Sequence, residues 1–429
     1  MTSSTGDPPA RSSLSLDAVL LRIGWRNLWR NPRRTAITAL AIAVGMIMLA
    51  FVLSIMAGMQ RDMIDQGTEL MIGHLQIHKR GYLPDRSIFD FIPRPGRTLA
   101  AELLDRDEVF GAAPRVSAFG LISSGDKSVG VEIAGMDRDA ESQVTTLGRK
   151  FVRGDLPARG ERGIALGRIL AGTLGVDIGD EVVIIAQAAD GSLGNDLYHV
   201  SGIFRSGLDL VDGGVAILDL GVAQELLSLD PQQIHEIAIR TTSPSRAQAV
   251  ASVLQATLGS TDLQVAPWQT LIPQLATWVA MSNSWSWIMY VIVFALAAIS
   301  VLNTMLMAVF ERLHEFGVLA AIGMRPRSII GMVVTEVAAL AVVSLVLATI
   351  LGFPILYWVV ASGIDLSSMT DGFSMSGVPV GPILRGDWVL AKFALAGMLL
   401  ILCAVIAGLY PATRAASADP ARLTRGEIR

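Results

Sequence analysis

The chain has 429 residues, 52% of them hydrophobic and only 17% charged, where a soluble protein carries about 25% charged residues. A formal net charge of −4 argues against a nucleic-acid partner, and a mean hydropathy of +0.52 argues for a membrane. The single cysteine, Cys403, excludes an intrachain disulfide and a cysteine-based metal site.

The charge deficit is concentrated in four stretches. Residues 1–34 form a basic N-terminus, in which Arg22, Arg26 and Arg30 recur every four residues beside Trp25 and Trp29, with Leu16, Leu20 and Ile23 on an apolar face. This pattern predicts an interfacial helix whose arginines meet lipid phosphates. Residues 35–60 carry no charge and contain ten Leu, Ile, Val or Phe residues. At roughly −0.3 to −0.6 kcal/mol each, these favour insertion as transmembrane helix 1, and no small-residue cleavage site follows.

Residues 61–270 have ordinary charge content and predict a folded α+β domain. His74–His78, Ser128–Ala134, His199–Phe204 and Gly214–Leu218 read as strands. Leu174–Ile185 reads as a turn feeding a strand, with its corner at Gly179-Asp180, while 98–105 and 245–258 look helical. His74 and His78 share a strand face and are two potential metal ligands; with no carboxylate or cysteine beside them, an ordinary polar face is the better reading. Gly125-Asp126-Lys127-Ser128 ends like a phosphate loop but lacks its preceding glycine. No nucleophile stands with a base, so no catalytic residue and no metal site is assigned, and the chain is not read as an enzyme.

Residues 271–310 predict an extended transmembrane helix 2. Its charge-free run begins after Asp262 and includes Trp268, Trp278, Trp285 and Trp287, more than a bilayer core of about 30 Å needs. Such a helix projects past the surface and can transmit movement to the domain. A short loop, 311–327, leads to helix 3 (328–362), which holds one ionisable residue, Glu336, assigned a structural role. A second outer loop, 363–387, leads to helix 4 (388–410), followed by the tail 411–429. Arginines crowd the N-terminus, the 311–327 loop (Arg312, Arg325, Arg327) and the tail (Arg414, Arg422, Arg425, Arg429), whereas 363–387 has only Arg385. The positive-inside rule therefore places both termini and 311–327 in the cytoplasm, and 61–270 on the far side.

Three motifs carry a family resemblance: Trp25–Thr35 (W-R-N-L-W-R-N-P-R-R-T), Glu311–Glu336, which follows R-x-x-E-x-G-x-L-[RK]-A-x-G, and Ala407–Leu423, which follows Y-P-A-x-R-A-A-x-x-x-P. In order and spacing they resemble the FtsX-like permeases of ABC transporters with a MacB-type periplasmic domain. The layout looks most like the lipoprotein-releasing (LolC/LolE-type) permeases, whose domain start Leu70–Tyr82 also resembles. Ala320 stands where many members carry Arg or Lys, so one ATPase contact of the family is absent or displaced here.

The resemblance implies a four-helix bacterial inner-membrane protein with a large periplasmic α+β domain inserted between helices 1 and 2. It implies separate ABC ATPase subunits that bind ATP and Mg, no cofactor on this chain, and a second permease chain, making a homo- or heterodimer. The 311–327 loop becomes the ATPase-coupling element, with Arg312, Glu315 and Arg325 as charge partners. Phe316, Leu319 and Met324 become its apolar anchors, and Gly317 and Gly323 allow close approach. The cargo becomes a lipoprotein or other amphiphile entering sideways from the membrane lipids, with Phe51, Ile55, Met59, Trp285 and Ile288 as contact candidates and a periplasmic acceptor or membrane-fusion protein as a further partner. Two alternatives stay open: a MacB-like exporter of peptides, toxins or lipids working with an outer-membrane duct, and an FtsX-like signalling subunit that activates periplasmic hydrolases.

Overall fold

A computed structural model describes residues 25–259, 262–365, 374–375, 378–379 and 383–417. The part of the expected interfacial helix before Trp25, much of the 363–387 loop and the tail from 418, with Arg422, Arg425 and Arg429, lie outside the described residues. The chain divides into two compact units: Met1–Met59 with Ser282–Ile364 and Ile383–Arg429, and Gln60–Met281 with Asp365–Pro382.

The first unit is built on α1 (Pro32–Gly67), α2 (Pro273–Glu311), the short α3 (Leu313–Ala321), α4 (Pro326–Ala361) and α5 (Leu390–Ala416). Among the described residues, α1, α2, α4 and α5 are the four helices long and apolar enough to cross a membrane. The helix expected over 35–60 begins at Pro32, where proline at the first helical position costs no hydrogen bond, and continues to Gly67. Arg61 and Asp65 form an i,i+4 ion pair within this extension, so loss of hydrophobicity does not end the helix. A wider π-helical turn, Thr68–Ile72, follows and stops at Gly73. With 36 and 39 residues, α1 and α2 measure about 54 and 58 Å, nearly twice the hydrocarbon core.

One apolar core joins these helices. On α1 it uses Ala39, Ile42, Ala43, Met46, Leu49 and Leu53, a repeat of three and four residues that keeps one stripe facing inward. On α5 the buried positions Ala396, Leu400, Ala404, Gly408 and Ala412 recur every four residues, and four of the five are small. That stripe lets α4 approach closely: a methyl group at Gly408 would lie 2.7 Å from Val337 Cγ2. At the end away from α3, residues 385–387 are stitched to α1 and α4. Asp387 N–H donates to Ser54 O, Ser54 Oγ donates to Asp387 O, and Gly386 N–H donates to Val359 O. A side chain at Gly58 would overlap the Arg385 carbonyl.

The second unit is a ten-stranded mixed sheet with short helices. Its strands are β1 (Leu75–Lys79), β2 (Val109–Ser124), β3 (Lys127–Met136), β4 (Phe151–Gly154), β5 (Gly163–Gly167), β6 (Glu181–Gln187), β7 (Leu193–Phe204), β8 (Val215–Asp219), β9 (Glu236–Thr241) and β10 (Leu263–Pro267). Six of them close on themselves: β2 pairs with β3, β3 with β8, β8 with β5, β5 with β7, β7 with β6, and β6 with β2. Closure leaves no free edge in that ring. β2 makes it possible by its length, because Val109–Arg115 pairs with β9 and Gly120–Ser123 pairs with β6. The extension β9-β1-β10 then continues from the β9 side. Ile122, Ile133, Ile164, Leu166, Ile184, Val200 and Leu218 form the core.

Candidate functional site

The segment 311–327 is a helix between two turns. Arg312 leaves helical geometry and separates α3 from α2. At the other end Met324 N–H donates to Leu319 O and Gly323 N–H to Ala320 O, with Gly323 at φ 98°, the double closure that a glycine just past a helix permits. Pro326 then opens α4.

The two faces of α3 do different things. Phe316 is 2% exposed and packs with Val309, Ile329, Met332, Val333, Ala412 and Ala415; Gly317 is buried, and Leu319 and Met324 lie half-buried against the same cluster. These side chains, expected as anchors for a partner, are instead the seat of α3 on its own chain, because an isolated nine-residue helix needs tertiary packing to form. The apolar side chains that remain exposed are Val318 at 39% and Ile322 at 79%, beside His314, Ala321, Arg325 and Arg327. Their i,i+4 spacing, on the side of α3 opposite Phe316, is the sequence signal that marks them.

The charges of α3 are also spoken for. Glu315 pairs with Arg30 at 2.6 Å and with Arg312 at 3.2 Å; Arg312 reaches Glu336 on α4 at 3.2 Å and lies over the Phe316 ring; Arg34 pairs with Glu311 at 2.9 Å. The Arg30 hydrogen bond, with Arg312 beside it, holds the Glu315 carboxyl below the ordinary carboxylate range. Arg312 and Glu315 therefore belong to a network inside this chain, and Glu336 is its intramembrane terminus. Arg30, expected to face lipid phosphate, faces a carboxylate. The matching signal was the four-residue spacing of Arg30 and Arg34 against that of Glu311 and Glu315. Beside the network lies a polar cleft of about 260 Å³ bordered by Asn27, Asn31, Arg34, Thr304, Met305 and Glu336.

At the far end, Phe51, Ile55 and Met59 are half-buried on α1, and Trp285 and Ile288 are exposed on α2. An apolar cleft of about 70 Å³ opens there between α1, α4 and the start of α5, lined by Ala50, Ser54, Phe353, Leu356, Trp388 and Phe393.

The sheet unit holds a buried ion cluster that no sequence motif marks. Arg115 on β2 makes a bidentate contact with Glu141, at 3.0 and 2.6 Å, and a 3.2 Å contact with Glu236 on β9, and Thr145 Oγ1 donates to Glu141. These carboxylates keep the Arg115 guanidinium charged despite burial. The two histidines weighed as metal ligands are both buried. His74 Nδ1 accepts the Thr241 N–H, and burial pushes His74 down to about 4 and lowers His78. Among the described residues no group of three or more His, Cys, Asp or Glu could hold a metal ion.

Comparison with known proteins matches residues 35–257 to the MacB-like periplasmic core domain and 287–420 to the FtsX-like permease C-terminal family. The chain is 25% identical to the lipoprotein-releasing system transmembrane protein LolC of Xylella fastidiosa strain Temecula1, over 90% of this chain and 92% of that protein. It is 22% identical to LolE of Haemophilus influenzae, over 94% of this chain and 98% of that protein. It is 24% identical to the macrolide export ATP-binding/permease protein MacB of Nitrobacter winogradskyi, over 75% of this chain but only 50% of that one.

Proposed function

The chain belongs to the FtsX-like permeases that carry a MacB-like periplasmic core domain, and from that premise we propose that it is the permease subunit of an ATP-driven ABC transporter moving lipoproteins or similar amphiphiles out of the outer leaflet of the inner membrane. The observation that carries this reading is co-linearity: helices and sheet domain align in one order with lipoprotein-releasing permeases over at least nine-tenths of both chains. The protein is an inner-membrane permease with a periplasmic domain, and the chemistry of ATP hydrolysis, with ATP and Mg, is assigned to separate ATPase subunits.

The positive-inside rule puts α3 in the cytoplasm. There the exposed Val318 and Ile322, flanked by Arg325 and Arg327, offer an apolar knob with a basic rim to the ATPase. Phe316, Gly317, Leu319, Gly323 and Met324 shape and seat that knob. Movement of α3 passes into α2 and α4, to which it is joined directly, and α2 is longer than a bilayer is thick. Cargo enters from the side at the outer ends of α1 and α2, where Phe51, Ile55, Met59, Trp285 and Ile288 present apolar and sulfur-bearing surface. A second permease chain completes the assembly, and a periplasmic acceptor receives the cargo.

The test is purification of the full chain in detergent with mass spectrometry of bound species. Co-purification of an ABC ATPase and acylated proteins is the expected result. An ATPase accompanied by an outer-membrane duct, with no acylated protein, would replace lipoprotein release with export.

A further inference from the structure

Peptide bonds join α3 only to α2 and α4. Ion pairs reach a third place: Glu315 on α3 meets Arg30 in the lead into α1, and Glu311, the last residue of α2, meets Arg34 in the first turn of α1, across 285 and 277 residues of sequence. The lead is itself well fixed. Leu28 is buried in the helical core, Thr35 Oγ1 donates to Leu28 O at 2.7 Å, and Thr38 hydrogen-bonds Thr304 on α2. Three arginines (Arg30, Arg34, Arg312) and three carboxylates (Glu311, Glu315, Glu336) close on one another, so the set is neutral and leaves no charge over for a partner. The pairs to α1 are half-exposed, whereas the Phe316 seat on α4 and α5 is dry. A polar cleft borders Arg30, Arg34, Glu311, Arg312 and Glu315, so these side chains can part and re-form their pairs without opening the packed core under Phe316.

We propose that Arg30 and Arg34 are positioning residues for coupling: Arg30 clasps α3, and Arg34 the adjoining end of α2, to the start of α1, so that a displacement of α3 reaches α1 as directly as it reaches α2. This rests on the permease reading above and adds a second route out of the coupling helix. α1 is the helix for which that matters, because it runs unbroken from Pro32 to Gly67, well past bilayer thickness. An apolar seat sets where α3 sits; the forked Arg30–Glu315 contact, with the single Arg34–Glu311 contact beside it, sets how it is oriented.

The experiment uses the full chain with its ATPase in proteoliposomes carrying a fluorescent triacylated lipopeptide. It reads lipopeptide extracted per ATP hydrolysed. It also reads the nucleotide-dependent distance between spin labels at Arg61→Cys and Thr277→Cys, in a Cys403→Ser background that removes the one native thiol. Arg30→Glu with Arg34→Glu is expected to lower extraction per ATP by about tenfold and to abolish the distance change, with ATPase still bound. Adding Glu311→Arg, which re-forms the Arg34 pair with its charges exchanged and leaves the Arg312–Glu315 pair in place, restores part of both. Wild-type ratios in the reversal variant, or no gain from adding Glu311→Arg, overturn the clasp. If the reversal variant fails to assemble, Arg30→Gln with Arg34→Gln is read the same way. The cargo reading fails separately, when the unaltered chain changes its label distance with nucleotide yet extracts no lipopeptide.

Discussion

The molecule contains two networks of arginine and glutamate that differ in almost everything but their components. In the sheet unit Arg115, Glu141 and Glu236 are nearly inaccessible and tie β2, β9 and the helix Arg138–Val144. In the helical unit Arg30 and Glu315 are 58% and 42% exposed, and the partners lie on separate helices around a cleft. A buried pair cannot exchange partners, because each charge left alone meets a large desolvation cost; an exposed pair can, because water replaces either partner at little cost. The first kind suits a joint that holds still and the second a contact remade during a cycle.

The sharpest way to break this contrast is Arg115→Met. It strands Glu141 and Glu236 in a dry site, and we expect a loss of about 3–5 kcal/mol in the sheet unit. Hydrogen exchange on the full chain should show β2 and β9 losing protection while α4 and α5 keep theirs. Retained protection in β2 would mean that the cluster is wetter than its burial implies.

Acid separates the networks next. His74, His78 and His235 are all buried and all lowered from 6.5, His74 to about 4. The unfolded chain therefore binds more protons below pH 6.5, and the stability these groups allow is lost as pH falls from 6.5 toward 4. The slope is at most about 1.4 kcal/mol per pH unit for each histidine. Glu315 is also shifted down, below 4.5, but by its Arg30 hydrogen bond rather than by burial, so its pair with Arg30 persists until the pH falls through that lower value. Proteolysis at graded pH should open the sheet unit first. Simultaneous loss of the α3 contacts would contradict the assignment.

The helical unit was far more legible in sequence than the sheet unit, and the reason is physical. A membrane span is written locally, in a run of apolar residues, so four helices were found with limits off by a few residues; the larger error, at the end of α1, came from equating the end of hydrophobicity with the end of the helix. Ring closure is written nowhere locally. It depends on β2 changing partners between Arg115 and Gly120, and no local pattern in Val109–Ser124 marks that change. β2, β4, β5, β9 and β10 do not stand out in the sequence; strands buried on both faces, such as Gly163–Gly167, lack the alternation that marks a half-exposed strand. Within 311–327, apolar character alone does not tell Phe316, which packs inward, from Ile322, which does not.

Within the helical unit, Gly408→Val tests whether dry packing there is as unforgiving as the buried cluster in the sheet unit. A methyl at that position already crowds Val337, so overpacking by two more carbons should cost about 1–3 kcal/mol and lower the unfolding temperature of the helical unit. Gly130→Ala, where nothing stands within 4 Å, is the matched control in the sheet unit and should leave stability unchanged. An equal loss in both would point to a general intolerance rather than to the α4–α5 contact.

The smallest expected effect concerns the pairs on which coupling is argued to depend. Arg34→Ala removes a 2.9 Å contact with Glu311, but Glu311 is half-exposed and is resolvated once the guanidinium is gone. The change in stability should therefore stay under about 1 kcal/mol, far below that of Arg115→Met. A large loss would place Arg34 in the same class as Arg115 and make the clasp a structural joint. A small one, together with impaired coupling, is what a contact requires if it is to break and reform on each ATP cycle: its free energy has to lie within reach of thermal exchange, while its geometry still selects one orientation of α3.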